Sequence, residues 1–136
     1  LSEYIIQIQN HGDRSEKLMW LLISAMKHLS FVLMEKSKVK EVELMLKVHD
    51  SLSFMLHLFS GIGLPSRRLF LNEIADLVNK YFSSFRFISP EQSVLIDPRI
   101  HQAEGVSSQE IQEGKSFAVI HSMTLKTIKY AEIIEK

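Results

Sequence analysis

The stretch Tyr81-Phe-Ser-Ser-Phe-Arg-Phe-Ile-Ser-Pro-Glu-Gln-Ser-Val-Leu-Ile96 is where the chain changes style. Up to Phe85 the apolar residues recur at helical intervals. Leu69, Phe70, Ile74, Leu77, Val78, Tyr81, Phe82 and Phe85 form one stripe, and Glu73, Asp76, Asn79 and Lys80 lie off it. Beyond Ser89-Pro90, Val94-Leu95-Ile96 is short and β-prone. Ser116–His121 and Thr127–Ile134 are rich in β-branched and aromatic residues, with a turn expected at Ser122-Met123. Helices first and strands afterwards predict segregated α+β layers, not a doubly wound sheet. The expected division is a helical region over residues 1–88 and a small β domain over 89–136.

Upstream, no glycine or proline occurs between Gly12 and Gly61, so nothing strongly breaks a helix there. Leu18, Leu22, Ala25, Leu29 and Val32 form one apolar stripe, and Val42, Met45, His49, Leu52, Leu56 and Phe59 form another in a different frame. The polar run Glu35-Lys36-Ser37-Lys38 separates them, which predicts two helices or one bent helix. Asp13 or Ser15 is a plausible N-cap. Gly61-Ile-Gly63-Leu-Pro65 closes the region, because glycine accepts the left-handed cap conformation and proline cannot continue the ladder. The helices are therefore expected at about 14–36, 39–60 and 66–86.

Composition narrows the function. The chain has 136 residues, 46% of them hydrophobic and 24% charged, the balance of an ordinary globular domain. Sixteen basic residues cancel sixteen acidic ones, so no global field draws the chain to nucleic acid or an anionic membrane. The longest apolar run, Leu18–Ala25, falls short of the roughly 20 residues of a membrane span. Polar and acidic residues precede it and no small-residue cleavage site follows, so it does not read as a signal peptide; the opening leucine suggests an earlier start. The absence of cysteine excludes a disulfide framework, a thiolate metal site and a cysteine nucleophile.

Few residues offer chemistry. No phosphate-cradling glycine loop and no histidine–glutamate zinc helix occurs, and neither a metal nor a cofactor is expected. His49 beside Asp50 is either a phosphotransfer histidine or a histidine on the apolar seam. His101 is a general base only if a second group joins it from elsewhere in the chain. Arg67 and Arg68 open a helix, where cations oppose the dipole, and either contact an anion or lie in a solvated turn. Met19, Met26, Met34, Met45 and Met55 either fill an irregular core or offer an adaptable face to a partner helix.

One stretch is more specific. Val94-Leu-Ile-Asp-Pro-Arg-Ile-His-Gln-Ala103 resembles the signature of the GrpE nucleotide exchange factors of DnaK-type heat-shock chaperones, with Ile96, Asp97, Pro98, Ile100, His101, Gln102 and Ala103 matching in order. Glu43–Leu52 resembles the first bundle helix of that family, Tyr81–Ile88 the aromatic end of the second, and Thr127–Ile133 the closing strand. The family's glycine–aromatic pair has no counterpart between Phe117 and Lys126, and residues 14–40 lack the basic cluster of its long paired helix.

The resemblance implies a cytoplasmic, non-enzymatic co-chaperone that dimerises through a helical bundle and uses its β domain to open the chaperone's cleft and release ADP. It implies partner contacts at Lys126 and Lys129 and a structural role for Asp97, Pro98, His101 and Ala103. The breadth of the helical stripes separately predicts a homodimer seam through Leu46, Leu52, Leu56, Leu69, Ile74, Leu77 and Phe82. The alternative is a helical scaffold or adaptor that binds a partner helix without exchange activity.

Overall fold

The computed structural model describes residues 1–102 and 109–136. It is an α+β fold: four helices, then small sheets. The helices are α1 (Ser2–Gln9), α2 (Ser15–Leu33), α3 (Glu41–Leu58) and α4 (Arg67–Asn79). The strands are β1 (Phe85–Ile88), β2 (His101–Gln102), β3 (Ile111–Gly114), β4 (Ala118–His121), β5 (Thr127–Lys129) and β6 (Ala131–Glu135).

α2 buries Leu18, Leu22, Ala25, Leu29 and Leu33. The polar run after it is a break, with a 3-10 turn over Met34–Ser37 before α3 begins. The capping expected of Asp13 or Ser15 is not made: Arg14 holds the N-cap position with no side-chain bond. In α3 the buried face is rotated from the expected stripe. Val42 is exposed, while Leu44, Val48 and Met55 join Met45, Leu52 and Leu56 inside. Gly61, at φ +76, takes the left-handed conformation expected after a helix end.

α4 stops at Asn79, short of the expected 86, and Phe85–Ile88 forms a strand. Asn79 ties this strand to the helix end. Its Nδ2 donates to the Phe87 carbonyl at 3.0 Å, and its Oδ1 accepts from the Phe87 amide at 2.7 Å. One side chain thus supplies the bonds a neighbouring strand would make.

β1, β4 and β5 form one antiparallel sheet, with Phe87 opposite Val119 and Val119 opposite Lys129. β6 sits between β2, parallel to it, and β3, antiparallel. The expected single run Thr127–Ile134 is therefore two strands, which change sheets at Tyr130. Val94–Ile96 contributes one bridge, Leu95 to Glu110. The turn expected at Ser122-Met123 joins β4 to β5.

A single core crosses the expected boundary at residue 88. Tyr4, whose ring stacks on Phe70 at 4.2 Å, belongs to the same cluster as Phe87, Phe117 and Val119. That core corrects much of the expected dimer seam. Leu52, Leu56 and Ile74 are buried within the one chain, and Phe82 is half-buried against Phe87. Of the seven seam residues, Leu46, Leu69 and Leu77 remain exposed. The stripes are wide because α1 and the β1–β4–β5 sheet also cover the helices.

Candidate functional site

The signature segment folds as a tight, self-bonded turn. Asp97 Oδ1 accepts from the Arg99 amide at 3.0 Å, and the Asp97 carboxylate also holds the Arg99 guanidinium. These bonds keep the Asp97 carboxyl below its usual range. The Asp97 amide donates to Nδ1 of His101 at 2.8 Å, so the ring proton sits on Nε2, which donates to the Pro90 carbonyl at 2.8 Å. His101 is buried with both nitrogens engaged, leaving neither free to act as a general base. Ala103, the last signature residue, lies outside the described residues.

The turn is laced to the strands beside it. The Ile100 carbonyl accepts from the Ala131 amide at 2.7 Å, and the Arg99 carbonyl from the Thr127 hydroxyl at 2.6 Å. Between the turn and the outer face of the β1–β4–β5 sheet lies a cleft of about 410 Å³, with Ile88, Ile100, Ile120 and Leu125 among its apolar walls and Asp97 and Arg99 on its rim. The sheet's other face carries Phe87 and Val119 into the core.

The β4–β5 hairpin projects past this cleft. Met123 is 84% exposed and Leu125 is 65% exposed. Leu125 sits at φ +61, a region leucine rarely enters. Its amide donates to the His121 carbonyl, and the His121 amide donates to the Lys126 carbonyl, each at 2.8 Å, which holds the tip closed. The structure does not bring Lys126 and Lys129 together. Lys126 is exposed at the tip, whereas Lys129 lines a separate groove with His49, Tyr130 and Glu132.

His49 has one ring nitrogen engaged by the backbone. Its Nε2 lies 3.1 Å from the Phe117 carbonyl and its side chain is mostly buried, the surroundings that the seam reading expects. Burial pushes its pKa down and the Lys129 charge pushes the same way.

The sequence reading missed a buried polar cluster that ties the helices to the strands. Arg67 Nε donates to both oxygens of Glu91, at 3.0 and 2.8 Å, and Nη1 donates to the Phe59 carbonyl. Glu91 also accepts from the Gly114 amide at 3.0 Å. Glu113 reaches 3.9 Å from Arg67 and accepts from the Gly61 amide at 2.9 Å. Tyr4 Oη has no bonding partner among the described residues, and burial raises its pKa to about 12. Arg68 donates to the carbonyls of Glu91 and Gln92. Both arginines are thus held by acceptors of this chain, although Arg67 Nη2 has no hydrogen-bond partner among the described residues and Arg68 is exposed; the available signal was that two cations at a helix start need nearby acceptors.

On the helical side, the run Gly12–Ser37 is long and apolar enough by composition to cross a membrane, longer than the eight-residue run that stood out in the sequence. Five of its leucine and alanine side chains are nevertheless buried against the rest of the chain. Met45 and Met55 are core residues, Met19 and Met26 are half-buried, and Met34 is exposed.

No protein-family model, curated protein or solved structure matches the chain.

Proposed function

We propose that the chain is a non-enzymatic co-chaperone that binds a DnaK-type chaperone and promotes ADP release, as its resemblance to GrpE factors implies. The observation that supports this reading is the β4–β5 hairpin, where Met123, Leu125 and Lys126 stand exposed beside an apolar cleft. A closed tip with two apolar anchors and one cation suits a protein contact in which few residues carry most of the energy. The turn from Asp97 to His101 serves that surface by bonding to Thr127 and Ala131, not by chemistry of its own. Exchange needs no catalytic group. It needs tighter binding to the open, nucleotide-free chaperone than to the closed one. Retention of the chain on an immobilised DnaK-type chaperone without nucleotide, and its release by ATP, is the expected outcome; retention indifferent to nucleotide contradicts it.

A second reading, a helical adaptor that binds a partner helix, is favoured by a different observation. α2 carries an exposed apolar face on the side away from its buried one.

A further inference from the structure

Trp20, Ile23, Phe31 and Met34 are 63, 48, 60 and 71% exposed. Their spacing puts them on one side of α2 and its short 3-10 extension, along about 21 Å of helix. Lys27 lies four residues from both Ile23 and Phe31, in the middle of this stripe, and is exposed with no ion pair among the described residues. Phe54 of α3, 41% exposed, flanks the face through its contact with His28 at 5.3 Å. Large apolar side chains clustered in this way mark interaction surfaces more often than chance exposure.

We propose that this face docks an amphipathic helix of another protein, one whose apolar stripe carries a carboxylate at its centre to meet Lys27. The inference rests on the helix-binding reading above and adds the partner's chemistry. Charge complementarity selects the occupant. A second copy packed about a two-fold axis at the middle of the stripe sets Lys27 against Lys27, at the point where association demands an uncharged or opposite group. A lipid surface meets lysines best when they flank the apolar face, whereas Lys27 interrupts it. An acidic residue on a partner helix satisfies the ammonium and leaves Trp20, Ile23, Phe31 and Met34 free to pack. The pair's value lies in rejecting other helices, because buried ion pairs contribute more to selectivity than to net affinity.

Trp20 is the chain's single tryptophan, so its emission reports on this face directly. The probes are two synthetic amphipathic helices of about 18 residues, long enough to cover the stripe. They are identical except for glutamate or lysine at the centre of the apolar face. The full chain is titrated with each. The glutamate peptide is expected to blue-shift Trp20 emission and to bind about tenfold or more tighter than the lysine peptide, and Lys27→Glu is expected to reverse that order. Equal binding of the two peptides, with no reversal, overturns the acidic partner but leaves helix binding standing. No shift with either peptide overturns both. A shift that grows with protein concentration alone, together with a dimer mass in sedimentation, assigns the face to a second copy. A shift produced only by lipid vesicles assigns it to a membrane. Each of those results also overturns the proposal.

Discussion

The carboxamide of Asn79 brackets the backbone of Phe87, donating to its carbonyl and accepting from its amide. This one side chain ties the end of α4 to the strand that opens the sheet carrying the hairpin. Asn79→Ala leaves both backbone groups without their partner, and a loss of about 1–3 kcal/mol is expected. Urea unfolding followed by circular dichroism should show a lower midpoint at unchanged slope. Asn79→Asp, which keeps the acceptor but sets a carboxylate oxygen against the Phe87 carbonyl, should cost at least as much at neutral pH.

The sequence showed the switch from helices to strands, but not where it falls. Phe82 and Phe85 continue the spacing of Leu69 to Val78, so local pattern extends the helix. What overrides it is distant: Phe87 pairs with Val119, and the Asn79 side chain satisfies the opposite edge. The break at Glu35–Lys38 was legible because it shifts the apolar frame. The strands around Ala118–His121 and Thr127–Lys129 were legible because their residues favour β structure. β3 was not, since Ile-Gln-Glu-Gly has little strand character and forms by pairing with β6. At the site, the hairpin turn was readable and Lys126 falls at its tip. The separation of Lys129 was hidden, because it depends on the register with Val119.

Arg67 and Glu91 form a buried pair between α4 and the segment leading out of β1. Arg67→Met alone strands a buried carboxylate and should cost about 3–5 kcal/mol. Arg67→Met with Glu91→Leu should recover a large part of that loss. The check is a double-mutant cycle on unfolding free energies.

Gly114 is fixed by lack of space. A Cβ built there lies 2.2 Å from Cγ of Pro90, whose ring cannot swing away. Gly114→Ala should destabilise by about 1–3 kcal/mol through overpacking. A thermal melt compared with Gly63→Ala, where nothing lies within 4 Å, separates the clash from any general effect of adding a methyl group.

His49 makes stability depend on pH. Burial holds its folded pKa below the ordinary 6.5, and Lys129 acts with burial while the Phe117 carbonyl, Asp50 and Glu132 oppose it. As pH falls the unfolded chain binds the proton first. Stability is therefore full above about 6.5 and declines as pH drops through the lower folded value. His49→Gln keeps a donor for the carbonyl and removes the titration. Urea midpoints at about pH 7.5 and 5.5 should differ less for this variant than for the parent chain.

The central proposal is that the hairpin tip engages a DnaK-type chaperone and opens its nucleotide cleft. The direct measurement is the dissociation rate of a fluorescent ADP analogue from such a chaperone, with and without this chain at saturating concentration. Acceleration of about tenfold or more is expected, within the range of typical coupling between sites, and Lys126→Glu should abolish most of it. A dissociation rate that stays the same with the chain present would contradict the proposal.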